Sequence, residues 1–230
     1  MAGRVVVVAG GTGALGQSVT LRFLSEGATV CIPFAVPAER DALSARVGAA
    51  DRSRVVLIET DVTDEASFER FVRGVLDGQG RIDALVNGVG GFAGGDLLST
   101  PLPEWQRVMS LNLTSAVIGC RAVLPAMTAA GSGRIVNVAS RAVVPPSGGF
   151  IAYTVSKAAV ITLTQALARE VVRGITVNAV MPSTMDTPGN RTAMPDADRS
   201  DWVSTDAVAD VIAHLASERA GMVSGAAIPV

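Results

Sequence analysis

Seven short runs of β-branched and other apolar residues recur along the chain, near Arg4–Ala9, Thr29–Ile32, Arg54–Glu59, Ala84–Val86, Arg134–Val138, Ile175–Ala179 and Ala226–Pro229. Several are apolar at every position instead of alternating with polar residues. A strand of that kind is covered on both faces, the situation of a parallel sheet with helices on either side. The intervals between runs are long enough for helices, and right-handed crossovers then give an α/β, Rossmann-type doubly wound parallel β-sheet of about seven strands. With 230 residues, 49% of them hydrophobic, one core suffices. No repeat, linker or composition break divides the chain, so residues 1–230 are expected to form a single domain.

Local signals place the helices. Thr63-Asp64-Glu65 opens one with acidic residues, Pro101-Leu102-Pro103-Glu104 opens a long one running through Glu104–Met127, and Gly131-Ser132-Gly133 stops it. A further long helix is expected over Ala152–Val172. The segment from Pro182 to about Ser204 mixes Pro, Gly, Asn and Asp and reads as an irregular loop of the length used for lids and binding loops.

Composition excludes several functions. A net charge of −2 with scattered arginines offers no footprint for nucleic acid. His214 is the only histidine and has no ligand-type cluster around it, so no metal site is expected. Cys31 and Cys120 lie far apart in apolar segments and read as packed, reduced thiols, which fits a reducing cytoplasm. The opening MAGRVVVVAGG leads straight into a glycine turn and reads as a first strand, not a signal peptide. No apolar stretch reaches membrane-spanning length on this reading, so no membrane partner is expected.

Val5 to Gly16 combines a strand, a glycine turn and a helix start, and contains a literal G-x-G-x-x-G at Gly11, Gly13 and Gly16. In that context, small residues let the backbone approach a pyrophosphate, whose charge is favoured by free N–H groups and the helix dipole. About 20 residues on, an acidic residue would select a ribose 2′-hydroxyl and a basic one a 2′-phosphate. Here the second strand ends Cys31-Ile32-Pro33-Phe34-Ala35 with neither charge, and Glu39, Arg40 and Asp41 follow late and mixed. NAD(H) and NADP(H) both stay open.

The chain has eighteen arginines but a single lysine, Lys157, and a single tyrosine, Tyr153. They stand four apart in Tyr153-Thr154-Val155-Ser156-Lys157, one helical turn from each other. An ammonium beside a phenol favours the phenolate and lowers its pKa, which suits a general acid or base.

With these residues in hand, the chain resembles the short-chain dehydrogenase/reductases along essentially its whole length. Gly10-x-x-x-Ala14-x-Gly16 is similar to the family's nucleotide turn, with Ala9 where Thr is common and Ala14 where Gly is common. Asp61-Val62 resembles its adenine-contacting pair, and Asn87-Gly88-Val89-Gly90 stands where the family has Asn-Asn-Ala-Gly. Asn112, in Ser110-Leu111-Asn112-Leu113, matches a structural and proton-relay asparagine. Ser140 lies at the catalytic serine's distance before Tyr153. Pro182-Ser183-Thr184-Met185-Asp186-Thr187 is similar to the loop gripping nicotinamide and phosphate, with Ser183 replacing Gly.

The resemblance implies an NAD(P)(H)-dependent oxidoreductase. Asn112, Ser140, Tyr153 and Lys157 would be catalytic. Gly10, Thr12, Gly13, Ala14, Leu15, Gly16, Phe34, Asp61, Val62, Asn87, Gly88, Val89, Pro182, Ser183, Met185 and Thr187 would join Tyr153 and Lys157 in holding the cofactor. Ser140 would donate to a substrate carbonyl, Tyr153 would protonate the alkoxide, Lys157 would lower the phenol's pKa and bind ribose, and Asn112 would hold a relay water. The substrate would be a small carbonyl or alcohol, with a 3-oxoacyl-reductase-like carbonyl reduction expected first. Pairing through the two long helices into a homodimer or homotetramer is likewise implied. Two alternatives are kept. The glycine turn and the stretch Met185 to Arg191 with Met194 to Asp198 and Trp202 also resemble quinoid dihydropteridine reductases, although those characteristically lack the serine present at Ser140. The other is a non-catalytic dinucleotide sensor. Arg141, Asn190 and Arg191 could meet a polar substrate group, whereas Phe92, Val143, Val144 and Phe150 would make the pocket apolar.

Overall fold

The computed structural model describes residues 1–230. In chain order the elements are β1 (Val5–Ala9), α1 (Ala14–Ser25), β2 (Thr29–Phe34), α2 (Pro37–Arg46), β3 (Val55–Glu59), α3 (Glu65–Gln79), β4 (Ala84–Asn87), α4 (Leu102–Met109), α5 (Ser115–Ala130) and β5 (Gly133–Val138). They continue with α6 (Ile151–Glu170), β6 (Ile175–Met181), β7 (Met185–Asp186), α7 (Pro188–Ala193), β8 (Val203–Ser204), α8 (Thr205–Leu215) and β9 (Ala227–Pro229).

Seven strands form one parallel sheet in the order β3-β2-β1-β4-β5-β6-β9. Consecutive strands are laid down outward from β1 in one direction and then from β4 in the other. The order therefore reverses between β1 and β4, which opens a crevice at their carboxyl ends.

The all-apolar strands are explained by which face each side chain enters. In β1, Val6 and Val8 point into a core roofed by Phe23 and Leu24 of α1 and Ile212 of α8. Val5, Val7 and Ala9 point the other way, toward Phe68 and Phe71 of α3 and Val123 and Met127 of α5. Each buried valine contributes about 1.5–3 kcal/mol relative to exposure, so neither face tolerates a polar alternation.

Four expectations are corrected. β2 extends past Ile32 through Pro33 and Phe34, because β1 pairs only with Thr29, Val30 and Cys31; beyond them a proline deprives no neighbour of a hydrogen bond, since β2 there faces only β3. The helix opening at Pro101 is interrupted by a π turn over Ser110–Thr114 and runs on as α5 to Ala130, where Gly131 closes it with φ +64°. The segment 182–204 is not wholly irregular: β7 pairs with β8, and α7 starts at Pro188 with Thr187 as its cap. Finally, two helical spans, Leu102–Ala130 and Ile151–Glu170, are long and apolar enough to cross a membrane by length and composition. One face of each packs on the sheet, which they cover alongside α3, and the rest of each span stays exposed.

Candidate active site

The carboxyl ends of β1, β4 and β5 and the first turn of α6 meet at the crevice. At the end of β1, Gly10 takes φ +81°, and a Cβ on Gly16 would overlap the Gly10 carbonyl oxygen. Glycine at both positions lets α1 start directly against the turn. Gly13 caps α1 without a side-chain acceptor, and no acidic residue stands in the first turn, so the backbone N–H groups around Ala14, Leu15 and Gly16 face the crevice uncompensated. Space beside Gly13 is open, with only Gly10 O at 3.5 Å from a Cβ placed there. This cradle fits the pyrophosphate of a dinucleotide. Thr12 is buried within it and donates to Glu39 Oε2 at 3.0 Å.

Phe34 ends β2 with its ring beneath the Arg40 guanidinium, 5.3 Å from the centroid. Asp61 is exposed at the end of β3 and accepts from Thr63 N and Thr63 Oγ1 at 2.8 and 2.6 Å, bonds that hold its carboxyl below the usual range. It is not a helix cap; Asp64 caps α3 by accepting from Ser67 N at 2.6 Å. Val62 packs against the core under α3.

Asn87 departs from expectation. Its side chain turns away from the crevice and donates to Asn137 Oδ1 at 2.8 Å; Asn137 in turn donates to Thr164 Oγ1 at 2.9 Å. All three are buried, so this chain of bonds ties β4 and β5 to α6. Only the backbone beyond Asn87 reaches the crevice: Gly88 donates to the Ala9 carbonyl at 2.9 Å, and half-buried Val89 follows. On the far side, Pro182 O accepts from Arg141 N at 3.0 Å and Ser183 donates to Val230 O at 2.9 Å. Met185 O accepts from the Asn190 amide at 2.8 Å, while Thr187 Oγ1 caps α7 through Asn190 N at 3.2 Å. Arg191 is not a free anion clamp, since Asp186 grips it through two bonds of 2.5 and 2.7 Å.

The four residues expected to do chemistry converge. Tyr153 projects from the first turn of α6 and packs against Phe92 and Phe150, with ring centroids 5.2 and 6.1 Å away. Burial pushes its phenol above the ordinary value, and the Ser140 hydroxyl partly opposes the rise. Lys157, expected to lower the phenol's pKa, is not among the groups that shift it in this arrangement. The half-buried phenol sits among aromatic rings, while the ammonium is aimed at the sheet and donates to Val138 O at 2.8 Å. Lys157 itself is fully enclosed, and desolvation brings it down to about 8. Ser140 Oγ accepts from Ala142 N at 3.2 Å, an interaction that leaves its own proton free to donate.

Asn112 lies in the π turn. Both amide hydrogens are committed, to Gly91 O at 3.0 Å and Ser156 Oγ at 2.8 Å, and its Oδ1 accepts from Gly91 N at 2.7 Å. The water-holding role expected of it narrows to one remaining lone pair. Two further participants have no role assigned from the sequence. Ser156 links Asn112 to the Tyr153 carbonyl, which it reaches at 2.7 Å. Gly90 is bare because a Cβ there would sit 2.9 Å from Asn112 Oδ1 and 3.1 Å from Lys157 Nζ. Its place directly after Asn87-Gly88-Val89 was the available signal.

Comparison with known proteins decides the family, since the sequence pattern described as short chain dehydrogenase matches residues 4–198. The chain belongs to the short-chain dehydrogenases. This short-chain dehydrogenase is 34% identical over 240 residues to the 2-(R)-hydroxypropyl-CoM dehydrogenase of Xanthobacter autotrophicus, covering 98% of this chain and 96% of that one. It is 30% identical over 238 residues to the meso-2,3-butanediol dehydrogenase of Serratia marcescens, covering 99% and 92%. The crystal structure of levodione reductase superposes with a TM-score of 0.93 at 28% identity, covering 100% of this chain and 96% of that one. The chain is accordingly an NAD(P)(H)-dependent oxidoreductase of alcohols or carbonyls, and the sensor alternative falls away.

Proposed function

We propose that this enzyme interconverts a ketone and a secondary alcohol, with Tyr153 as the proton-transferring group and a carbonyl reduction as its neutral-pH direction. The observation that carries this reading is the single tyrosine with the Ser140 hydroxyl against it and the single lysine buried one turn away. When bound, the nicotinamide supplies or accepts the hydride. The cradle from Gly10 to Gly16 would hold its pyrophosphate, with Phe34, Asp61, Val62, Gly88 and Val89 bordering the adenosine half and Pro182, Ser183, Met185 and Thr187 the nicotinamide half. Asn87 would serve by bracing the sheet.

Ser140 would donate its free proton to the substrate oxygen, and Tyr153 would deliver the proton that completes the hydroxyl. A phenol held above its ordinary pKa is fully protonated at neutral pH, which suits a donor. Lys157 has donors left after its bond to Val138 O; these would bind ribose and return a proton to Tyr153, aided by the remaining lone pair of Asn112. In the alcohol-oxidising direction the same groups run backward.

Phe92, more than half exposed, and Phe150 wall the approach to Tyr153 with their rings 5.6 Å apart, and exposed Val144 stands in the turn after Ser140. They fit a substrate with an apolar substituent beside the carbonyl. A pterin is the narrower alternative, and a quinonoid dihydropterin assay separates it. The half-exposed apolar helices α5 and α6 fit pairing with a second copy, and the buried free thiols of Cys31 and Cys120 fit a cytoplasmic setting.

The test is Tyr153→Phe assayed for dihydronicotinamide oxidation across a ketone panel, with dinucleotide affinity measured in parallel. Turnover should vanish while affinity holds. Undiminished turnover would remove Tyr153 from the chemistry.

A further inference from the structure

We infer that Glu39, on α2, makes this enzyme prefer NAD(H) over NADP(H). The inference rests on the dinucleotide reading of the glycine turn and takes up the position where the end of β2 offers no charge. In a doubly wound sheet the adenosine ribose lies between the glycine turn and the end of the second strand. Here those two boundaries are Thr12 and Phe34, and neither side chain is ionisable.

The fold brings four charged side chains of α2 toward that space, and three are compensated or turned aside. Arg40 lies over the Phe34 ring and bonds Asp41 Oδ1 through Nε at 2.9 Å and Nη2 at 2.8 Å, so the two charges cancel. Arg46 reaches back to α1 and donates to Gln17 Oε1 at 2.8 Å. Glu39 has no cationic partner among the ion pairs of the chain. Its Oε2 accepts from Thr12 Oγ1 at 3.0 Å, which fixes a carboxylate on the rim of the cradle. Gln17 supports the arrangement from behind by donating to Thr12 O at 2.8 Å.

The charged group held directly on the ribose rim is therefore the Glu39 carboxylate. A carboxylate accepts hydrogen bonds from ribose hydroxyls, whereas a doubly charged 2′-phosphate would meet repulsion from Glu39, with Arg40 engaged by Asp41 and Arg46, which has no carboxylate partner, drawn toward α1 by Gln17. Glu39 follows Phe34 by five residues, on the next helix, which is why spacing along the sequence left the choice open. The Thr12 contact is what returns it to the site.

The experiment is isothermal titration of the ligand-free protein with NAD+ and with NADP+, repeated for Glu39→Gln and Arg40→Gln, and followed by steady-state kinetics with both reduced cofactors. The native protein should bind NAD+ at least about tenfold more tightly, a ratio that one uncompensated charge near a phosphate readily produces. Glu39→Gln should shrink that ratio severalfold, chiefly by improving NADP+ affinity, whereas Arg40→Gln should leave or widen it. Equal or tighter NADP+ binding by the native protein overturns the inference. So does an unchanged ratio in Glu39→Gln, or a loss of NADP+ affinity confined to Arg40→Gln. Failure of the proposed chemistry would appear differently, as absent turnover with the binding ratio still measurable.

Discussion

Replacing Lys157 by methionine should stabilise the protein while destroying its activity. The lysine is enclosed, with a side chain of nearly the same length and volume as methionine available to fill the space. Burial lowers its pKa from the ordinary 10.5 to about 8. At pH 7 the ammonium is present in both folded and unfolded chains, so the whole desolvation penalty is felt, about 3 kcal/mol at 1.36 kcal/mol per tenfold change. Methionine removes that penalty but gives up the 2.8 Å bond to Val138 O, worth about 1 kcal/mol net. The balance is about 2 kcal/mol in favour of Lys157→Met, or about 4–8 °C in Tm for a chain of this size.

The pH dependence provides the internal check. Between about pH 8 and 10.5 the folded lysine has lost its proton and the unfolded one retains it, so the unfolded chain binds more protons and native stability rises with pH. The advantage of the methionine variant should therefore shrink across that window, to about a fifth of its neutral-pH size by pH 9.5. Urea unfolding of ligand-free protein at fixed concentration, at neutral and alkaline pH, measures both quantities. A variant that unfolds at lower urea than the native protein at pH 7, or an advantage that does not change with pH, would refute the burial argument. Turnover should fall at least about a hundredfold, since both the relay and ribose donors are lost.

Gly90→Ala should cut kcat/KM about tenfold or more in a steady-state assay, because its methyl group would press on Asn112 and Lys157 together; native-like kinetics would show that this strand end does not shape the site. Carbonyl reduction should be flat through neutral pH and fall only in the alkaline range, while alcohol oxidation climbs there, since burial keeps the Tyr153 phenol protonated. Initial rates in both directions test this, and an oxidation optimum at or below pH 7 contradicts it. Thr164→Val should cost about 1–3 kcal/mol by leaving the Asn137 amide unpaired in the core, read as a lower urea midpoint.

The parts of this protein that were legible in its sequence are those with a local physical signature. β1 shows itself by five consecutive apolar residues, and the cradle by glycines where a strand meets a helix. Tyr153 and Lys157 stand out because the chain has one of each. What escaped depends on partners far away in sequence. Pro33 looked like a strand end, yet β2 continues because its neighbour β1 has stopped pairing by then. The π turn at Asn112 leaves no compositional trace. Asn87 was assigned to the cofactor by position, although alternation along β4 puts it on the same face as Leu85, toward α5, with Ala84 and Val86 on the other. That inward direction was available from the strand's period of two.

The inward polar chain explains how the legible pair is held in place. Tyr153, Lys157, Val160 and Thr164 follow one another on α6 at intervals of four, three and four residues, so they form one stripe along the helix. At one end the stripe carries the phenol and the ammonium; at the other, Thr164 receives the bond from Asn137, itself tied to Asn87. A slip of one residue along α6 would rotate this stripe by about 100°, removing Thr164 from Asn137 and Lys157 from Val138 together. The two bonds therefore enforce the same helical register from opposite ends. Asn87 and Thr164 should therefore influence where Tyr153 stands without approaching the crevice, so that the asparagine at the end of β4 would act on the chemistry through the register of α6.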